Sequence, residues 1–534
     1  MSAILAHLSR PSILAPLIIT AVYLVHHYLT KERVVLPKSF PVINSRPTDR
    51  FFPYLRAKFR NTVNFKSTMM LANTKPYNTK PAILPLLGIP NLILLPTTDI
   101  EFIQEQPRSI LDPAKQTDQR LQLQFTSPNP DLMDLHQHVA QNRTVMDYMT
   151  TQIGNLVPDL VDELEFAGSK YWGDEASTSE WKEVGVYKTM TGILALVSNR
   201  IFVGSPLNRT QEIIKVGMQY SVDVPVVSAA IRCLWDPIVP LVGWLLTIPV
   251  RRRARQFEKL LEPEITKRVK AWDGMGADSD SVTEKKVSSL EPEPNDAIQW
   301  CLKSAKASGD PLMWKSTTIA DRILIMNFAS IHTSDYVLTQ VLLDLAHSKQ
   351  DYLDQLREEV ETALRENGGW NKRTIGRLVK LDSTLRESAR LNSFQPAALP
   401  RVVMAEEGIK TPSSGDVVIP KGAVVVVPAY NVMHDEKIYK GAELFKPFRF
   451  VGSGQGFVQT SSEYLAFGHG KYACQGRFFA SVELKTMLAW LLVHYDIQLR
   501  EREERPPSSW LVWNVIQPLK AKIRVKRREV LVDF

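Results

Sequence analysis

The chain has 534 residues, 44% of them hydrophobic and 23% charged, an ordinary globular balance that excludes wholesale disorder and fibrous folds. Its three cysteines, Cys233, Cys301 and Cys474, are too few for a disulfide framework and too scattered for a four-ligand zinc site, so a reducing compartment is the simpler setting. The net charge of +8 is compatible with a nucleic-acid or an anionic-membrane partner and singles out neither.

Pro11 to Leu29 runs for 19 residues without Asp, Glu, Lys or Arg. As a helix it spans roughly 28 Å, close to a hydrocarbon core of about 30 Å. A cleaved signal peptide is the competing reading. The length of the run and the lack of a small-residue cleavage site after it oppose that reading. Lys31, Arg33 and Lys38 follow the run, against Arg10 alone before it, which by the positive-inside rule leaves the bulk of the chain in the cytosol. Residues 1–30 therefore read as a single-pass membrane anchor. Residues 31–50, with Pro37, Pro41 and Pro47, read as a stiff basic linker, and 51–534 as one large body. The sequons at Asn142 and Asn208 should then carry no glycan.

No internal repeat appears, so solenoids and propellers are not expected. Strand-like pieces sit early (Ala82–Leu87, Leu92–Leu95) and late (Val417–Ile419, Val424–Val427, Lys522–Val525), around a helical middle from about 145 to 390. That distribution predicts a mainly helical α+β fold rather than alternating βαβ units. Leu234–Val250, with Trp235 and Trp244, runs into Arg251, Arg252, Arg253 and Arg255. Two readings fit it: a membrane-interface segment, or a core helix followed by a solvated basic helix. Asp273–Asn295 reads as an exposed loop. Thr317–His347 contains neither Gly nor Pro and predicts one helix about 46 Å long. Near the C-terminus, Lys520–Lys526 alternates basic and apolar residues, the pattern of a half-buried strand. No nucleic-acid motif accompanies the basic excess.

The chemistry concentrates at Phe467-Gly-His-Gly-Lys-Tyr-Ala-Cys474-Gln-Gly476-Arg-Phe-Phe-Ala. Glycines let the backbone approach a flat ligand closely. A cysteine at the start of a helix sees the positive end of the helix dipole, which favours thiolate. A lone thiolate suits the proximal side of a haem, while a small buried hydrophobe is the other reading of a single cysteine.

The segment Phe467-x-x-Gly470-x-x-x-Cys474-x-Gly476 resembles the haem-binding signature of the cytochrome P450 monooxygenases, and Gly-Arg-Phe-Phe-Ala resembles the filamentous-fungal branch. Three further features carry the resemblance. Glu387-Ser-Ala-Arg390 matches the family's E-x-x-R pair, whose spacing puts both charges on one helix face; Arg449, in Pro447-Phe-Arg449-Phe450, is its third member. Ala329-Ser-Ile-His332-Thr333-Ser334 matches the centre of the family's long helix. Thr333 matches the threonine that lines the family's oxygen pocket, and His332 stands where most members have an acid. Glu387, Arg390, Arg401, Arg449 and Cys474 follow in the family's order. The resemblance covers about residues 50 to 534.

The resemblance implies a cytochrome P450 fold, helical with small β-sheets. It implies haem b with iron held by Cys474, and Thr333 and His332 as catalytic groups delivering protons. Phe467, Gly470, Gly476, Arg401, Lys471 and Tyr472 are the implied cofactor-binding residues, with Arg401 on a propionate. Tyr472 replaces a usual Arg or His, and Gln475 a common proline. The early W/H-x-x-x-R motif is not reproduced: His136, His138 and Arg143 lie in its region at other spacings, and Arg143 is carried as its counterpart. Electrons from NADPH would arrive through a separate NADPH-cytochrome P450 reductase, with cytochrome b5 a second donor. The expected location is the endoplasmic reticulum membrane, with the catalytic body in the cytosol. The expected substrate is a lipophilic secondary metabolite oxidised with O2: a terpenoid or meroterpenoid first, an indole alkaloid or polyketide second. Two other classes compete: a reductase-independent haem-thiolate rearrangement, and a passive haem- or lipid-binding membrane protein.

Overall fold

The expected long helix runs from Ser316 to Ala346, one residue earlier than the sequence pattern places it. With apolar residues on nearly every face it is stable only when surrounded. It is wrapped by the helices Val186–Phe202, Gln211–Arg232, Ile248–Gly276, Val379–Leu391 and Arg477–His494. The computed structural model describes residues 34–90, 92–127, 139–173, 180–276, 293–500 and 503–529, without the side chains of 139–145 and 272–276. The largest core joins the long helix to these neighbours through residues such as Leu324, Leu342, Phe479 and Trp490. Each such buried side chain contributes about 1.5–3 kcal/mol.

Among the described residues, three small sheets flank the helices. The largest has the order β1(Ala82–Ile83), β2(Leu92–Leu94), β6(Val424–Val427), β5(Ala398–Val403), β3(Leu111–Asp112). β2 and β6 pair in parallel and the other pairs are antiparallel. The second sheet has the order β4(Lys182–Gly185), β10(Lys522–Arg527), β7(Tyr495–Gln498), and β8(Ser509–Leu511) pairs with β9(Asn514–Ile516). In β10, Ile523 and Val525 are buried while Lys522 is exposed, the alternation that the sequence predicts.

Several expectations change. Ala82–Leu87 shortens to the two-residue β1, because Pro85 removes a ladder donor. Val417–Ile419 makes only one bridge, Ile409 to Ile419. The helix Ile248–Gly276 runs into the start of the expected loop at Asp273; residues 277–292 lie outside the described residues. Leu234–Val250 is not a core helix. It forms a short 3-10 turn (Asp236–Ile238) and the helix Val239–Leu246, with Trp235, Leu241 and Trp244 59%, 70% and 56% exposed. Among the described residues no helix is long and apolar enough to cross a membrane; the expected anchor, with His136 and His138, lies outside them.

Candidate active site

A cavity of about 450 Å³ lies where the long helix, β5 and the cysteine loop meet. The long helix lines it with Met326, Ala329, Ser330, Thr333, Ser334 and Val337, positions three or four apart that form one helix face. His332 falls between these positions and is not part of the wall. Burial lowers its pKa below the ordinary imidazole value, and its Nε2 is buried with no partner among the described residues. The structure thus separates the two expected catalytic groups: Thr333 is in the wall, and His332 is not.

The cysteine loop is a tight coil. Gly468 and Gly470 take φ of 68° and 71°, a left-handed conformation that costs a side-chain-bearing residue energy. The Cys474 amide donates to the Phe467 carbonyl at 2.8 Å, closing the loop, and Cys474 and Gly476 line the cavity. Helix Arg477–His494 starts immediately after. Burial pushes the Cys474 thiol up, while hydrogen bonds from the Gly476 and Arg477 amides and the Arg477 charge oppose it. The helix start thus favours thiolate as the sequence implies, but burial outweighs it. A cation held by the sulfur would reverse that balance, because coordination deprotonates a thiol outright.

Arg401 reaches the cavity through a bulge. The β5–β6 register shifts between Ala398 and Arg401, and Leu399 takes a φ of 53°; bulges re-aim side chains in this way. Arg401 is 4% exposed. Its guanidinium donates from Nη1 to the Pro400 carbonyl at 2.9 Å, has no partner at Nε among the described residues, and is pushed down to about 10 by burial. A buried cation with an orphaned donor, which among the described residues feels the Asp112 charge but hydrogen-bonds to no carboxylate, is suited to a carboxylate of a bound group. Tyr472 lies under it, with the guanidinium 5.1 Å from the ring centre, and Lys471 lies 5.2 Å from the same ring. Tyr472 therefore holds Arg401 in place, while Lys471 is exposed and outside the wall. Gly470 also lies outside it, its α-carbon facing Gln104. Phe467 lines the cavity. Arg143 lies in the helix Val139–Gln152, with its side chain outside the described residues.

The Thr333 hydroxyl donates back to the Ala329 carbonyl at 2.7 Å, leaving its lone pairs towards the cavity. Next to it, Ser334 donates to Glu483 at 3.1 Å, and Ser198 donates to the other Glu483 oxygen at 2.6 Å. Glu483 is fully buried, and burial pushes its carboxyl up to about 7 against those two hydrogen bonds. The sequence reading missed this residue, though a lone acid within the apolar run Ala480–Leu492 was a signal for it. Its ordinary value is 4.5. Between that value and about 7 the folded state holds a proton that the unfolded state has lost, so stability falls as pH rises through the window. Glu483→Gln, which keeps the neutral shape, is therefore expected to flatten the change in urea midpoint between pH 5 and pH 8. A variant with the wild-type slope would show that Glu483 does not titrate there.

Behind the loop, Glu387 and Arg390 are both fully buried. Arg390 grips Glu387 at 2.8 and 3.0 Å, and Arg449 Nε reaches both carboxylate oxygens at 2.9 Å. Remaining guanidinium donors bind the carbonyls of Met433, Lys440, Gly441 and Leu444. Arg386, from the same helix Val379–Leu391, binds the Gly456 and Gln459 carbonyls at 2.6 and 2.7 Å. One helix thus anchors the segment 433–459 that leads to the cysteine loop.

The sequence that builds this site is similar to known proteins. The family model described as Cytochrome P450 matches residues 179–525. Cytochrome P450 monooxygenase 71 of Postia placenta is 33% identical over 440 residues, covering 81% of this chain and 83% of that relative. Cytochrome P450 monooxygenase gloP of Glarea lozoyensis is 29% identical over 510 residues, 90% of each. Cytochrome P450 monooxygenase pbrC of Penicillium brasilianum is 27% identical, covering 84% of each.

Proposed function

This chain belongs to the cytochrome P450 monooxygenase family, and on that premise we propose that it oxidises a lipophilic secondary metabolite, a terpenoid or meroterpenoid, with O2 and with electrons that NADPH supplies through a separate flavoprotein reductase. The observation that carries the reading is the meeting of Cys474, Arg401 and Thr333 on one largely apolar cavity. The residues fit haem b. Cys474 would hold the iron, and the orphaned Nε of Arg401 would meet a carboxylate of the group. When bound, the haem supplies the oxygen-activating chemistry. The chain's own part is to exclude water, orient substrate and place a proton. Met146, Met149, Met326, Phe202 and Phe394 line the cavity, a soft apolar surface that adapts to a bulky hydrocarbon skeleton. The lone pairs of Thr333 accept a hydrogen bond from a cavity water and hold its protons beside the reacting centre.

The proposed location is the endoplasmic reticulum membrane, with one anchor at residues 1–30 and the body in the cytosol. The exposed Trp235, Leu241 and Trp244 support an interfacial contact, with Arg251 4.7 Å from the Trp244 ring centre. Asn208 is fully buried, a poor glycan acceptor in the folded chain. In microsomes from yeast expressing the full chain, the protein is expected to stay with the membrane on alkaline extraction and to keep its mobility after deglycosylation. A glycan on Asn142 or Asn208 would sink the topology. When fed terpenoid intermediates, the same microsomes are expected to yield a product heavier by one oxygen only with NADPH and reductase. Turnover without either would favour a rearrangement instead.

A further inference from the structure

Arg120 and Arg232 stand side by side, and among the described residues no acid acts on either. Arg120 sits in the last turn of the helix Pro113–Leu121, and Arg232 ends the helix Gln211–Arg232. Arg232 donates from Nη1 to the Arg120 carbonyl and from Nε to the Gly88 carbonyl at 3.2 Å. Arg120 donates from Nη2 to Asn514 at 2.8 Å and lies 5.1 Å from the Trp513 ring centre. Every one of these partners is neutral. Both side chains are half-buried, and they line one cavity of about 80 Å³ together with Gln116, Gln119 and Trp513. That is room for several waters or one phosphate group. Burial lowers both guanidinium pKa values, and the charge of Arg232 adds to the effect on Arg120, which is pushed down to about 10. Two like charges held together away from bulk water raise the energy of the fold unless an anion offsets them.

The position of the pair indicates which anion. Arg232 is followed within three residues by Trp235, the first of the exposed apolar residues that continue through Ile238, Leu241 and Trp244. The two helices are tied by Ser228, which donates to the Leu121 carbonyl at 2.5 Å. The helix Val239–Leu246 leans on Phe125, whose ring lies within 3.4 Å of where a side chain at Gly243 would begin. The arginine cavity and the apolar patch are therefore neighbours. An anionic phospholipid presents the complementary arrangement of one phosphate beside apolar chains.

We propose that Arg120 and Arg232 form a binding site for the phosphate of an anionic phospholipid, at the edge of the apolar patch. Guanidinium forks match phosphate oxygens bidentately, and the patch lies along the acyl chains. The proposal rests on the membrane association proposed above and adds a lipid class to it.

Calorimetric titration of the full-length, haem-loaded protein in neutral detergent tests the site. The probes are dihexanoyl phosphatidic acid, dihexanoyl phosphatidylcholine and inorganic phosphate. Saturable binding of the phosphatidic acid is expected, tenfold or more weaker in Arg120→Gln and in Arg232→Gln and unchanged in Arg255→Gln, with the haem spectrum unaltered throughout. Equal binding of phosphatidylcholine, or wild-type affinity in the Arg120 and Arg232 variants, overturns the site. Inorganic phosphate binding as tightly as the lipid overturns the lipid assignment. A chain that binds phosphatidic acid in this pattern but leaves the membrane on alkaline extraction keeps the site and loses the membrane reading, so the two failures are separate.

Discussion

Glu387→Ala is expected to yield no soluble, haem-containing protein. Among the described residues Glu387 is the one acid that faces both Arg390 and Arg449, and its carboxylate accepts from each at 2.8 to 3.0 Å while also taking the Lys446 amide at 3.1 Å. Removing it leaves the fully buried Arg390 guanidinium facing that of the partly buried Arg449. Breaking a single buried pair costs about 3–5 kcal/mol, a large part of the roughly 5–15 kcal/mol that holds a domain folded. The damage should spread along the chain, because the same arginines hold the carbonyls of Met433, Lys440, Gly441 and Leu444 ahead of the cysteine loop. Glu387→Gln keeps an acceptor and is expected to fall between the two, with a lower yield and a lower urea midpoint. A soluble Glu387→Ala protein with the wild-type midpoint would show that the triad does not anchor the fold.

Cys474→Ala is expected to abolish turnover completely while leaving the apoprotein folded. The loop is closed by backbone, through the Cys474 amide on the Phe467 carbonyl and the Ala473 amide on the Gly470 carbonyl at 3.0 Å, so alanine keeps those bonds. What it removes is the sulfur that the Gly476 and Arg477 amides address. No other cysteine can substitute: Cys301 is buried at the helix Ala297–Ser308 with its thiol pushed up to about 11, and Cys233 lies beside Gly88. Retained turnover in Cys474→Ala would remove the sulfur from the mechanism.

What the sequence disclosed was mostly local. A run without Gly or Pro placed the long helix to within one residue, and the glycine spacing placed the cysteine loop. The arrangement missed at His332 was local too: successive helix residues point about 100° apart, so the neighbour of a cavity-lining Thr333 faces elsewhere. The remaining features were non-local. The bulge that aims Arg401 depends on how β5 registers against β6, which no single segment encodes. Glu483 meets Ser334 and Ser198 from helices 149 and 285 residues away, and Arg232 meets Arg120 across 112. The exposed tryptophans of 234–250 have the same composition as a core helix, and only the packing of their neighbours decides between the two.

Cys474 would hold the haem iron in the cavity that Thr333 and Arg401 also line. The most direct measurement is the difference spectrum of the reduced carbon monoxide complex, recorded for full-length wild type and Cys474→Ala at equal haem content. The wild type should show the red-shifted, thiolate-type Soret band and the variant should lack it. The same band in both proteins would contradict the claim.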